Sequence, residues 1–310
     1  MRYTTLGRTG LRVSSVGLGC GGPSRLGQSY GHTTEASKAV IFRALELGIN
    51  FFDTAESYGT EGVLGEALEE ARASGDAFVS TKKSVWDWNK KLLCTPDEMR
   101  EGLDQSLRRL RRERIDVFHL HGLESAHLDY ALSEIVPVLQ AARAQGKIAH
   151  LAVSEAFMGD TDHRMLRQVL EVDVFDVMMV GFNLLNPSAR RSVLVKTRER
   201  GIGTLIMFAV RRALTNPTRL REVVESLLAK GDVAPSELNL EAPLAFLGDV
   251  RDAAYRFCAH EPGADLVLTG TGSVEHLDQN VKSLLDGPLP PEHLRELERV
   301  FGRVDSVSAH

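Results

Sequence analysis

An acid, a phenol, an amine and an imidazole occur in that order within the first 121 residues, each beside a short apolar run. Asp53 ends the apolar run within Phe51-Phe52-Asp53-Thr54-Ala55, and Tyr58 follows in Glu56-Ser57-Tyr58-Gly59. Lys82 closes Val79-Ser80-Thr81-Lys82, and His121 ends the run from Asp116. Together these groups suit reduction of a carbonyl, in which a proton must reach the oxygen as hydride reaches the carbon. A phenol with a pKa of about 10 is too weak an acid unless its phenolate is stabilised. A neighbouring ammonium does this, and a carboxylate holds the ammonium in place. An imidazole then orients and polarises the carbonyl by hydrogen bonding.

Such convergence needs a scaffold that brings strand ends to one place. Strands are predicted at Val16–Gly19, Asn50–Asp53, Phe78–Thr81, Asp116–His121, Ile148–Ser154, Phe175–Val180, Gly203–Met207 and Asp265–Thr269. Helical patterns alternate with them, as at Glu35–Leu47, Pro96–Leu110, Ala131–Gln145, Thr161–Leu170 and Ser188–Arg200. Strands that read as nearly unbroken apolar runs are buried on both faces, which points to a parallel sheet. Eight such units close into a (β/α)8 TIM barrel, whose strand C-termini gather at one mouth. All four residues lie at or just past those ends. Tyr3–Val16 reads as a hairpin turning at Gly7-Arg8-Thr9-Gly10, placed to plug the lower mouth, and Pro290–Val304 as an extra C-terminal helix. The connection Arg211–Leu247, with one helix at Arg219–Lys230, has the length of a lid or specificity loop.

The 310 residues fit one barrel domain spanning 1–310. With 37 Lys plus Arg against 42 Asp plus Glu, the net charge of −5 gives no reason to expect a nucleic-acid or membrane partner. The strongest basic run, Arg108–Arg114, lies at a helix end, where positive charge complements the helix dipole. Cys20, Cys94 and Cys258 share no metal-type spacing and suit free thiols in a reducing compartment. No apolar stretch reads as a secretory signal or a membrane span, so a cytoplasmic protein is expected.

Two motifs point elsewhere. Gly17-Leu18-Gly19-Cys20-Gly21-Gly22 fits the dinucleotide fingerprint G-x-G-x-x-G. That motif needs a helix N-terminus directly after it, and here helical periodicity starts only near Thr34. The glycines, Gly21 among them, read better as a loop passing close to a ligand. His119 and His121 share a strand face, as metal ligands do, but Ser154, Val180 and Thr269 at comparable positions make poor partners. No metal is expected, and His119 reads as a polar core residue behind His121.

The ordered motifs resemble the aldo-keto reductase family. Phe52-Asp53-Thr54-Ala55 with Tyr58-Gly59, Glu61 and Leu64-Gly65-Glu66-Ala67-Leu68 carry the likeness. Thr81-Lys82, Ile115-Asp116 through His121, Gly146-Lys147-Ile148 and Val153-Ser154 continue it. The resemblance implies that Asp53, Tyr58, Lys82 and His121 are the catalytic tetrad. It also implies an extended NADP(H) or NAD(H), the former favoured by family habit, and a small-molecule carbonyl or alcohol substrate.

The likeness weakens around the nicotinamide. Where the family uses Ser-Asn and a Gln to hold the carboxamide, this chain has Ser154-Glu155 and Met179. An ionised Glu155 accepts hydrogen bonds but cannot donate, and Met179 offers little. Glu155 reads equally as a substrate contact or a surface residue. Met207 stands at the position of the family's stacking aromatic, with Phe208 beside it, while Arg211 and Arg212 meet the pyrophosphate or face solvent. The stretch Gly270-Thr271-Gly272-Ser273 through Gln279-Asn280 resembles the adenosine-phosphate loop, with His276 its one cation. Two other functions stay open, a cofactor-binding redox sensor and a metal-dependent hydrolase. Substrate choice falls to Pro23–Thr34, Ser84–Leu93 (with Trp86 and Trp88) and Arg211–Leu247.

Overall fold

The structure is a computed structural model and describes residues 1–87 and 89–310, so Trp88 lies outside the described residues. Eight parallel strands close into a barrel. They are β3 (Val16–Gly19), β4 (Phe51–Asp53), β5 (Phe78–Lys83), β8 (Ile115–Leu123), β9 (Ile148–Glu155), β10 (Val177–Gly181), β11 (Gly203–Met207) and β12 (Leu266–Thr269). Each strand pairs with the next in the chain, and β12 returns to β3. All eight expected strands are present, and β5, β8, β9 and β10 run one or two residues further at the mouth.

Outside the barrel lie two short hairpins. Strands β1 (Tyr3–Thr5) and β2 (Arg12–Ser14) form the N-terminal one, and β6 (Trp86–Asp87) with β7 (Leu92–Leu93) a second beyond β5. Helices α1 (Thr34–Glu46), α2 (Glu61–Glu70), α3 (Pro96–Leu110), α4 (Leu128–Tyr130) and α5 (Val136–Ala144) come first. Then follow α6 (Arg164–Val169), α7 (Val195–Glu199), α8 (Pro217–Lys230), α9 (Val250–Ala259), α10 (Val274–Leu285) and α11 (Pro291–Phe301), the expected C-terminal helix. Helix α3 starts where expected because Thr95 and Glu98 form a reciprocal capping box and Pro96 occupies the first turn. The basic run at its far end is absorbed by carboxylates as well as by the dipole: Arg109 pairs with Glu61 at 2.6 Å and Arg112 with Asp116 at 3.3 Å.

The period of two along each strand sorts side chains into two cores. Phe51, Val117, Ala152, Val177, Met179, Leu205 and Leu266 fill the barrel interior together with Leu6 and Val13. The N-terminal hairpin therefore does plug the lower mouth. Its turn comes so close to β11 that a Cβ on Gly7 would lie 2.2 Å from the Gly203 nitrogen, which only glycine permits. The alternate residues, such as Val79, Phe118, Val153 and Val180, face the helix layer. Parity then decides direction at the mouth. Asp53, Lys82, His121, Ser154, Met179 and Met207 stand in phase with interior residues, whereas Glu155 and Thr269 stand in phase with the outer layer.

Candidate active site

The barrel brings the four candidate groups into one cluster. Lys82 Nζ lies 2.6 Å from Asp53 Oδ2 and 2.6 Å from the Thr54 carbonyl oxygen, with no part of its side chain exposed. Ser80 donates to the other carboxylate oxygen of Asp53 at 2.9 Å. The Lys82 ammonium is 5.1 Å from the centroid of the Tyr58 ring. Tyr58 Oη and His121 Nε2 are 3.3 Å apart, and the two rings meet edge to face at 5.4 Å. Gly21 lies against Tyr58, since a Cβ there would come 2.2 Å from the ring. This contact by itself favours glycine at that position.

Burial and the Lys82 charge set the protonation states. Burial raises the Asp53 pKa above the usual carboxylate value, against the pull of Lys82 and Ser80, which donate to its two oxygens. Burial also opposes a charged Lys82, yet the Asp53 carboxylate and the Tyr58 oxygen outweigh it and hold its pKa above the usual lysine value. At Tyr58 the Lys82 charge favours the phenolate, and burial opposes it. Burial raises its pKa by more than Lys82 lowers it, so the phenol stays protonated through neutral pH. His121 is pushed down to about 3, mainly by burial and then by the Lys82 charge, and its imidazole is neutral. His119 lies behind it in the barrel interior, fully buried, with its pKa held well below the usual histidine value by burial. Among the described residues no group of three or more His, Cys, Asp or Glu is placed to hold a metal ion.

Two cavities open beside the cluster and share His121. One, of about 540 Å³, is bordered by Ser57, Lys82, Lys83 and Trp86, whose indole stacks on His127 at 5.0 Å. The other, of about 610 Å³, is bordered by Tyr58, Ser154, Phe157, Met179, Met207 and Phe208.

Residues 18–301 match the model of the aldo/keto reductase family. The chain belongs to the aldo/keto reductase family. It is accordingly an oxidoreductase of a family that uses nicotinamide cofactors. It is 26% identical over 318 residues to L-galactose dehydrogenase of Arabidopsis thaliana, covering 98% of this chain and 95% of the relative. L-glyceraldehyde 3-phosphate reductase of Escherichia coli O157:H7 is 23% identical over 335 residues, covering 96% and 92%. Among solved structures, the holo form of an aldo-keto reductase from Bacillus halodurans shares the fold, with a TM-score of 0.75 and 21% identity over the whole of both chains.

Around the second cavity this family member departs from the sequence expectations. Glu155 is not a surface residue, because none of its side chain is exposed, although the residue borders the second cavity. Its Oε1 accepts from the Gly181 backbone N–H at 2.6 Å, and His163 Nδ1 lies 2.9 Å from Oε2. His163 Nε2 is 3.0 Å from Ser188 Oγ, which donates to Asn186 Oδ1 at 2.6 Å. The Asn186 amide in turn donates to the carbonyls of Thr161 and Val307, tying the mouth to the C-terminal tail. Parity along β9 was the available signal for Glu155, since it follows the inward Ser154. Nothing in the sequence marked Phe157 or His163, which stack at 5.3 Å.

Phe208 adopts a left-handed backbone (φ 69°), a strained conformation for a bulky residue. Its ring packs 6.1 Å from Phe157, and the Arg211 guanidinium lies 4.0 Å over it. Arg211 does not simply face solvent. Its Nε and Nη2 are buried without a hydrogen-bond partner, and burial alone lowers its pKa to about 10.

The predicted adenosine loop has structural duties of its own. A Cβ on Gly272 would strike Gly27 at 2.4 Å, and one on Gly270 would come 3.0 Å from the Gly19 oxygen. The Ser273 side chain caps α10 by accepting from the His276 N–H at 3.3 Å, and its own N–H donates to Thr271 Oγ1. Asn280 is buried and donates to Thr269 Oγ1 at 3.0 Å. Gln279 accepts from Arg251 at 3.2 Å, a cation from α9 that the loop sequence did not reveal.

Proposed function

We propose that this oxidoreductase reduces an aldehyde or ketone with NAD(P)H, or oxidises the matching alcohol or sugar, as one barrel domain spanning residues 1–310. The convergence of Asp53, Tyr58, Lys82 and His121 on one mouth supports this most directly. Arg211 supports a dinucleotide, because two buried, unpartnered guanidinium nitrogens call for an anion such as a phosphate. Ser154, Met179, Met207 and Phe208 would border the nicotinamide, with Gly270, Ser273 and Gln279 at the adenosine end. Arg251 beside Gln279 favours NADP(H) over NAD(H), since a 2′-phosphate needs a cation. The three free, buried cysteines fit a cytoplasmic location.

When bound, the dinucleotide supplies the hydride. Tyr58 holds on Oη the proton that passes to the carbonyl oxygen. The Lys82 ammonium stabilises the phenolate left behind, and Asp53 with the Thr54 carbonyl keeps that ammonium in place. Neutral His121, hydrogen-bonding through Nε2, orients the carbonyl beside Oη. In the oxidative direction Tyr58 removes the alcohol proton by the same geometry.

The test is oxidation of NADPH, with NADH in parallel, by purified protein and an activated aromatic aldehyde, wild type beside Tyr58→Phe. Loss of turnover by roughly 10²–10⁴-fold with unchanged cofactor affinity is the expected result. Tight cofactor binding without turnover would favour a redox-sensing role instead, and no binding of either cofactor would overturn the proposal.

A further inference from the structure

Within the second cavity, Ser154 stands directly opposite Met179 in the sheet, and Met207 follows on the next strand. Ser154 Oγ accepts the Gly122 N–H at 2.8 Å, so its hydroxyl proton remains free to donate. The cavity wall shared with Ser154 includes the thioethers of Met179 and Met207 and the rings of Phe157 and Phe208. Glu155, the adjoining carboxylate, is sealed away. Both its oxygens are committed to His163 and Gly181, and Phe157 packs on both of those residues. Asp160, also on the cavity wall, accepts the backbone N–H groups of Arg164 and Met165. Ser154, Met179 and Met207 thus offer a donor for a carbonyl oxygen but, among the three, no strong acceptor for an amide nitrogen.

We infer that this chain holds the nicotinamide by apolar contact and one Ser154 hydrogen bond to its carbonyl oxygen, leaving the amide nitrogen unread. The inference rests on the proposed cofactor and specifies how the site selects it. A site built to pair a polar group rejects analogues lacking it by large factors, whereas apolar walls discriminate weakly. The chain therefore accepts dinucleotides in which the amide is a methyl ketone, which keeps the carbonyl and loses the N–H donors.

The experiment measures dissociation constants by titration calorimetry with the full chain, comparing oxidised NADP with its 3-acetylpyridine analogue. The expected affinities agree within about threefold, against the roughly 5- to 150-fold penalty of leaving a buried partner unpaired. In Met179→Gln, which sets an amide opposite Ser154, the natural cofactor is expected to gain on the analogue by about tenfold. A wild-type preference for NADP above tenfold overturns the inference while leaving the proposed function intact. An acceptor such as Glu124 or Ser125, both on the cavity wall, would then have to reach the amide. If neither NADP nor NAD binds, the proposed function falls and this inference with it.

Discussion

Replacing Lys82 by methionine tests whether its ammonium acts on chemistry, on stability, or on both. The side chain is fully enclosed and bonded to Asp53 and Thr54, so its loss leaves a buried carboxylate with Ser80 as its remaining side-chain donor. Breaking one half of a buried pair costs about 3–5 kcal/mol. For a domain of this size that is a fall in Tm of roughly 5–8 °C. The catalytic effect follows from the 5.1 Å separation between ammonium and Tyr58 ring. At an effective dielectric of ~20, a unit charge at that distance stabilises a phenolate by about 3 kcal/mol. Turnover should therefore fall on the order of 10²-fold, each 1.36 kcal/mol or so being tenfold. The double variant Asp53→Asn/Lys82→Met separates the two effects. With both charges gone, most of the Tm should return while turnover stays low. Thermal unfolding and single-turnover reduction of the aldehyde provide the two readings. Turnover of Lys82→Met within threefold of wild type at saturating cofactor would refute the electrostatic role.

Gly21→Ala places a methyl against the Tyr58 ring and should lower turnover about tenfold or more while cofactor affinity changes little, read by steady-state kinetics and calorimetry. Arg211→Gln should weaken dinucleotide binding roughly 10- to 100-fold yet leave the Tm of the free protein unchanged or raised, because an unpaired, partly desolvated cation is removed. A lowered Tm with unchanged affinity would assign Arg211 to packing. For pH dependence, a raised Tyr58 pKa means the proton donor stays protonated as pH rises, so the turnover of reduction should hold through neutrality and decline only above about pH 10. His121, titrating near 3, should add no acid limb between about pH 5 and 8. A limb near the ordinary histidine value would mean that His121 is less buried than its environment indicates.

The chain itself determined the barrel and the gathering of four polar side chains at its mouth. Eight apolar runs separated by helical patterns leave a closed parallel sheet as the arrangement that buries them all, and a polar residue ending such a run must stand at the mouth. Asp53, Lys82 and His121 were legible for that reason, and Tyr58 because its loop follows one of those ends. Parity could have told Glu155 from Ser154 in the same way, since a shift of one residue along a strand turns a side chain from the interior to the helix layer. Long-range packing decided the rest. The Phe157–His163–Glu155 assembly joins a loop, a left-handed turn and a strand end, and the network beyond it reaches Val307. Whether Glu155 meets a ligand or a histidine depends on which side chains the loop after β9 folds over it. Likewise the Tyr58 pKa is a difference between burial and the Lys82 charge, two opposing effects of which burial is the larger. Residue types announce both, but only tertiary distances and enclosure decide which prevails.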